Sequence, residues 1–380
     1  MEPYILGANF NPTALVEDYG SVIWTERFGD SGDVTLVVPD TATNRTRFAD
    51  GAYLGSDETD QVMVLDTADI KNGEIKLTGN TLDKQVFENR LILHADPITD
   101  ATERWLSDNH AGAFLEEVLT YFATPAGWTT WANAYFASDT TPQGIDMPKQ
   151  MLSNLVFAEA ATSLSSLYSI QNRQTIYDLI KNVAAVAKIG WRLVPASITP
   201  TSHQLAWYTW DKGNSDVRFS ALQDTLTDVS ELRSKRDYKT VAYAISPDFD
   251  PTDRITGGVE YTGVAYAYSG ADVETGPNRR VIIVEKTGLT DEAVGDNQTK
   301  YNNIMNSAAA DALANNNFVK VIDGEVVPQN QYKFGVDYRL GSLVELEDPH
   351  GTIQTAVITE YIRSSDANGF RAYPTVSVED

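Results

Sequence analysis

β-Branched and aromatic residues run through Ser21 to Phe28 (SVIWTERF) and again through Val34 to Val38 (VTLVV). Gly29-Asp30-Ser31-Gly32-Asp33 joins them, and its glycines can adopt the positive φ that such a link needs, so the pattern predicts a hairpin. A second pair follows, Gln61 to Asp66 (QVMVLD) and Glu74 to Thr78 (EIKLT), separated by Lys71-Asn72-Gly73. Asn-Gly favours the tight turn whose twist matches that of paired strands. The N-terminal quarter therefore reads as a β-sheet.

Beyond Asp96-Pro97 the pattern changes. Ala101 to Phe122 reads as a helix with Asp100 as its cap and Trp105, Phe114, Leu115, Val118, Leu119 and Phe122 as an apolar stripe, ending before Pro125. Gly127 to Met147 has no period and reads as a loop or short strands, and Gln150 to Ser166 reads as helical. Thr175 to Lys188 places Ile176, Leu179, Ile180, Val183 and Ala187 on one face; Thr175 and Asp178 form the start signal, and Gly190 suits the C-terminal cap. Strands are expected at Trp191 to Val194, His203 to Trp210 and Tyr238 to Ile245. Val259 to Tyr268 and Arg280 to Lys286 are expected to pair around Gly276-Pro277-Asn278. Asn297 to Asn316 is an alanine-rich helix. Strands return at Val319 to Ile322, Leu343 to Leu346, Thr352 to Tyr361 and Gly369 to Tyr373, with turns at Asp323-Gly324 and Asn368-Gly369.

The expected organisation is α+β and multidomain. It runs as an acidic β module (1–95), a helical, tryptophan-rich insertion (96–172), an α+β unit (173–245), a strand pair with the alanine-rich helix (246–317) and a C-terminal β module (318–380).

Trp24-Thr25-Glu26-Arg27-Phe28, Gly32 to Pro39 (GDVTLVVP), Gly51-Ala52-Tyr53-Leu54, and Ile75 to Gly79 with Leu82 and Asn89-Arg90 follow one another in a characteristic order. In that order they resemble the tail-hub proteins of long-tailed phages with non-contractile tails, minor tail proteins related to the central baseplate hub of contractile phages. The likeness resumes at Thr175 to Arg192, Leu232 to Ala244, Val336 to Val344 (VDYRLGSLV) and Ile358 to Tyr361 (ITEY). It departs at Ser342, where an acidic residue is expected, and over residues 96–172. The resemblance implies two tube-like barrels per subunit bracketing the α+β middle, and a homotrimer whose six barrels match a sixfold tail tube to a threefold tip. It also implies a non-enzymatic virion protein at the tail tip, made in the host cytoplasm. Such a hub joins the distal tail protein ring, the tape-measure protein and the tip or receptor-binding proteins, and surrounds the channel by which DNA leaves.

Charge changes this picture in one respect. The chain carries 29 basic and 53 acidic residues, a net charge of −24, and residues 1–100 hold 7 against 18. Such a field repels phosphate, so specific nucleic-acid binding is not expected, and an acidic wall would keep a sliding duplex from adhering. Solubility explains the same charge equally well. The local exception is Arg233, Lys235, Arg236 and Lys239, which reads either as a solvated strand edge or as a grip for another subunit's acidic N-terminal sheet.

Candidate chemistry is sparse. There is no cysteine, no run long enough to span a membrane, and no basic and apolar leader at Met-Glu-Pro-Tyr. His94, His110, His203 and His350 are isolated, and neither a nucleophile elbow nor a phosphate-binding glycine loop is present, so no cofactor is expected. Glu116 and Glu117 point about 100° apart on a helix and cannot flank one glycosidic bond. Asp248, Asp250 and Asp253 offer closely spaced oxygen ligands but lack the glycine and late glutamate of a calcium loop, which makes them weak metal candidates. Trp128 and Trp131, outside any period, are candidates for an exposed face that meets a tail-tip partner or a host glycan. The alternative reading from a different class is a carbohydrate-binding or carbohydrate-active protein using the aromatic insertion.

Overall fold

The computed structural model describes residues 1–48, 52–92, 110–125, 151–163, 174–199, 201–246, 264–268, 276–285, 298–316, 319–327, 331–348, 350–351 and 353–378. In chain order the elements are β1 (Pro3–Leu6), β2 (Pro12–Leu15), β3 (Ser21–Arg27), β4 (Asp33–Pro39), α1 (Ala42–Arg47), β5 (Tyr53–Ser56), β6 (Thr59–Lys71), β7 (Glu74–Thr81), α2 (Leu82–Glu88) and α3 (Ala111–Ala123). They continue with β8 (Leu155–Glu159), α4 (Ile176–Ala187), β9 (Gly190–Thr199), β10 (Ser202–Trp210), β11 (Gly213–Ser220), β12 (Leu226–Ser234), β13 (Val241–Ile245), β14 (Val264–Tyr268) and β15 (Val281–Glu285). The last are α5 (Gln298–Ala314), β16 (Val319–Val326), β17 (Ser342–Glu347), β18 (Ile353–Asp366) and β19 (Gly369–Val378). The chain divides into two compact units, Met1–Val229 with Gly324–Asp380, and Ser230–Asp323.

The first unit is built on one large mixed sheet, in the order β11-β17-β18-β3-β4-β7-β6-β5-β1-β2, with β19 paired to β18. Both expected hairpins are present. β3 pairs antiparallel with β4, and β6 with β7 around Asn72 (φ 56°) and Gly73 (φ 84°), the two positive φ values of the predicted turn. β3, β4 and β7 send Val22, Trp24, Val34, Leu36, Val38, Ile75 and Leu77 into a dry core on one face. β6 is covered on both sides: Met63 and Leu65 join that core, whereas Val62 and Val64 join a second one. A strand buried on both faces loses alternation, which explains the continuous apolar run QVMVL. β7 approaches β6 so closely at Gly79 that an added Cβ would lie 2.1 Å from the Val64 carbonyl oxygen.

The second core holds α2, α3 and α4 against β6, β9 and β10, around Phe87, Phe114, Phe122, Trp191 and Trp207. α4 starts as its sequence predicts, the Thr175 hydroxyl accepting from the Asp178 N–H at 3.0 Å. Its end differs. Lys188 takes the left-handed cap position (φ 54°), and Gly190 instead opens β9, where a Cβ would meet the Trp210 ring at 2.5 Å. The helix expected over 101–122 is described from Ala111, preceded by His110, and it stops at Ala123 as Pro125 requires. The helix expected over 150–166 is wrong at its centre. Leu155–Glu159 is a strand running parallel to β10, because the pairing offered by β10 and the Leu-Val-Phe side chains outweigh a weak helical pattern.

β17 to β19 complete the large sheet. Asn368-Gly369 makes the expected turn between β18 and β19, with Gly369 at φ 112°. The expected closed barrels are not found: among the described residues the strand path ends at β2 and at β11, and no pairing joins those edges. β11, at one edge, runs parallel to β17, and β2, at the other, is four residues long. β12 pairs with β16, and Asp323-Gly324 lies inside β16 rather than in a turn.

The second unit is a three-stranded sheet, β14-β13-β15, with α5 across one face. Ala242 and Ala244 of β13 contact Met305, Ala309 and Leu313 of α5, small residues allowing close approach. β14 and β15 do not pair with each other as expected. Both flank β13, antiparallel and parallel respectively, and β13 is mostly buried.

Candidate assembly surfaces

The four basic residues singled out in the sequence lie in the second unit. Arg233, Lys235 and Arg236 are exposed and Lys239 is half-buried. The turn preceding β15 brings Arg279 and Arg280, also exposed, to the same end of the second unit's sheet. Arg280 donates through its guanidinium to the Lys235 carbonyl and through its N–H to the Thr240 hydroxyl at 2.9 Å. The Arg279 guanidinium donates to the Tyr243 hydroxyl at 2.8 Å, and the Lys235 ammonium lies 6.0 Å from the Tyr238 ring centroid. Parallel pairing of β13 and β15 places both preceding turns at one end, which local sequence cannot reveal. Beside these cations Val281 and Ile283 project from β15 with exposures of 41% and 63%.

The first unit carries the opposite charge at one corner of its sheet. β1 pairs with both β2 and β5, so the start of β1 and the ends of β2 and β5 lie together. Glu2, Glu17, Asp57 and Glu58 are exposed there, beside Leu15, and the Glu2 N–H donates to the Asp57 carboxylate at 2.7 Å.

The third feature is the seam between β3 and β18. Glu26 and Arg363 form an ion pair with side chains only 6% and 5% exposed. Arg27 donates to Glu360 at 2.7 Å and pairs with Asp33. The Arg363 guanidinium lies 4.7 Å from the Tyr361 ring and 5.5 Å from Phe334, and those rings stack at 3.7 Å. A cleft of about 370 Å³ opens beside them, lined by Tyr332, Phe334, Tyr338, Tyr361 and Phe370. Burial raises the Tyr338 and Tyr361 hydroxyl pKa values, so both stay neutral donors. Glu58 is the single carboxylate among the described lining residues. Ser342, the departure from the expected acidic residue, is buried and accepts the Arg339 N–H at 2.9 Å, shaping the loop that carries Phe334.

Two further ties join distant segments. The buried Asp83 carboxylate accepts the Trp191 indole N–H at 2.9 Å; burial raises its pKa against the lowering effect of that bond and of the Thr81 hydroxyl. Asp30 accepts from the Tyr177 hydroxyl at 2.9 Å and the Lys181 ammonium at 2.8 Å. Burial opposes ionisation of Asp30, but Lys181, the Ser31 N–H and Tyr177 together hold its pKa below the usual carboxylate value. No sequence signal marks these partners.

Other sequence candidates fare differently. Trp128, Trp131, Asp248, Asp250 and Asp253 lie outside the described residues, as do His94 and Trp105. His203 is a packing residue, its ring edge-on to Phe10 at 4.8 Å. Glu117 is exposed and Glu116 half-buried, with burial raising the Glu116 pKa. Among the described residues there is no cluster of three or more His, Cys, Asp or Glu suited to a metal ion, and no helix is long and apolar enough to cross a membrane.

Comparison with known proteins bears on the whole chain. A search of curated proteins finds no match. Among solved structures, the 43 kDa tail protein of prophage MuSo2 from Shewanella oneidensis is 13% identical with a TM-score of 0.53, covering 99% of this chain and 98% of its own. The tail protein from Neisseria meningitidis MC58 is 10% identical with a TM-score of 0.54, covering 100% and 96%. These likenesses are of fold. Residues 2–376 match the model of the siphovirus ReqiPepy6 Gp37-like proteins, and the chain belongs to that family.

Proposed function

We propose that this protein is a structural component of a siphophage tail, the hub of the tail tip. In this reading a homotrimer joins the distal tail protein ring to the threefold tip, contacts the tape-measure and receptor-binding proteins, and surrounds the channel for DNA exit. The observation that carries the reading is end-to-end correspondence: the family match runs from residue 2 to 376, and the fold of a solved prophage tail protein is matched over 99% of one chain and 98% of the other. The net charge of −24 suits a wall along which DNA slides without adhering. Trp128 and Trp131 remain the proposed face for a tip partner. Gold-labelled antibody against the purified chain should decorate only the distal end of the tail in electron micrographs of phage particles. Label along the tail shaft or on the head would overturn the proposal.

A further inference from the structure

We infer that two cavities flanking Phe334 in the first unit form a binding site for a neutral oligosaccharide, with one sugar position on each side of the ring. The site lies wholly within that unit and does not rest on the hub reading.

The larger cavity is the aromatic cleft of about 370 Å³ beside the β3–β18 seam. A second, of about 300 Å³, is lined by Gln61, Glu159, Arg192, Tyr208, Trp210 and Arg339. Phe334 lines both, and the buried ion pair stands between them, with Arg363 in the wall of the first and Glu26 in the wall of the second. Cavities of this size that combine rings with a few polar groups are the usual form of a small-molecule site. Local bonds hold the rings in place. Phe334 sits in a loop where the Gly335 N–H donates to the Tyr338 carbonyl at 2.7 Å and the Lys333 N–H to the Asp337 carboxylate at 2.7 Å. Phe219 meets Tyr332 and Tyr338 edge-on, with centroids 6.0 and 5.6 Å apart. In the second cavity the Arg192 guanidinium lies 4.8 Å from the Tyr208 centroid, and the Trp210 indole N–H donates to the Leu340 carbonyl at 2.9 Å. Rings fixed in advance lower the ordering cost of binding.

Charge selects the ligand. Glu26 and Arg363 neutralise each other, and Arg192 is met by Asp60 at 3.0 Å. Glu58 and Lys333 are the other charged residues of the larger cavity, Glu159 and Arg339 those of the smaller, and all four are exposed. One charge of each sign on each side favours neither a phosphate nor an ammonium group. The balance suits a ligand dense in hydroxyls, each of which both donates and accepts. The C–H bonds of a sugar ring, made electropositive by neighbouring oxygens, also lie well on the negative faces of aromatic rings. Gln61 supplies an independent observation. It is only 7% exposed, and its Oε1 accepts from no group among the described residues. A buried amide oxygen left this way is costly, and a hydroxyl entering the smaller cavity satisfies it.

The test is binding of the purified full chain to an immobilised array of neutral oligosaccharides (glucans, galactans, rhamnans and N-acetylhexosamine oligomers) with proline-rich peptides printed beside them. Bound sugars are then titrated by calorimetry. Binding of at least one sugar is expected, and its longer oligomers should bind more tightly than the single sugar, since only they span both cavities. Phe370→Ala, at a ring 44% exposed in the larger cavity, and Arg339→Ala in the smaller should each weaken binding about tenfold while urea midpoints stay at the wild-type value. Trp128→Ala with Trp131→Ala should leave the affinity unchanged. A chain that binds no sugar on the array, captures only the peptides, or loses sugar binding through Trp128 and Trp131 but not through Phe370 or Arg339 would overturn the assignment. Failure of the hub reading shows separately, as antibody label away from the tail tip with the sugar-binding result intact.

Discussion

Between β6 and β7 two residues, Asn72 and Gly73, turn the chain back on itself, whereas between β3 and β18 the paired residues Glu26 and Arg363 are 337 positions apart. Both pairings are antiparallel and lie in the same sheet. Closing the longer loop from an unfolded chain costs about 4–5 kcal/mol more by the logarithmic dependence of loop entropy on length. The hairpin needs only a permissive turn. The seam instead carries a buried ion pair, the Arg27–Glu360 bond and a Tyr19–Ser365 contact at 2.9 Å. Long-range pairing in this protein is thus specified by polar side chains placed at the seam.

Arg363→Leu has the largest expected effect. It strands the Glu26 carboxylate in a site only 6% exposed, and should lower unfolding free energy by about 3–5 kcal/mol in urea titrations. A loss under about 1 kcal/mol would mean that the seam does not depend on the pair. Replacing both partners, Glu26→Met with Arg363→Leu, should recover most of that loss, since an apolar pair of similar volume removes the stranded charge.

Trp191→Phe removes the tie to Asp83, another long-range contact, and leaves a buried carboxylate short of one donor. About 1–3 kcal/mol of destabilisation is expected by the same measurement. On the local side, Asn72→Ala places a residue with a Cβ and no helpful amide at φ 56°, for about 1 kcal/mol. If that substitution proved as damaging as Arg363→Leu, the contrast between turn and seam would fail.

The smallest effect is in pH. Asp30 has its folded pKa lowered, so the stability it contributes is present above the ordinary carboxylate pKa and is lost as pH falls through the lower folded value. Asp83 is the reverse. Its raised folded pKa makes its contribution favourable in acid and lost as pH rises through the carboxylate range. Asp30→Asn should therefore narrow its gap to wild type on acidification, while Asp83→Asn should do relatively better as pH rises, both read from urea midpoints across the acid range.

What could be read in advance follows the same division. Asn72-Gly73, Asn368-Gly369 and the Thr175–Asp178 cap are local signals, and each lies where its chemistry placed it. Leu155–Glu159 has a helical pattern yet forms a strand, because its conformation depends on β10, about 50 residues later. β14 and β15 are legible as strands but their partner is not, since no short-range feature distinguishes pairing with each other from pairing with β13. Four cations of the basic patch were visible as a run, whereas Arg279 and Arg280 join it only through the parallel β13–β15 arrangement.

By itself the sequence determined the elements whose period, cap or turn residues lie within a few positions of one another, and with them the acidic balance and the family resemblance. Tertiary structure alone decided that the N- and C-terminal strands share one open sheet, that Gly190 serves close packing rather than a helix cap, and that scattered charges form one basic end and one acidic corner. The reason is physical. A turn or cap is settled by steric and hydrogen-bond preferences of neighbouring residues, while the choice among distant strand edges is settled by burial and charge pairing, which exist only once the chain has folded.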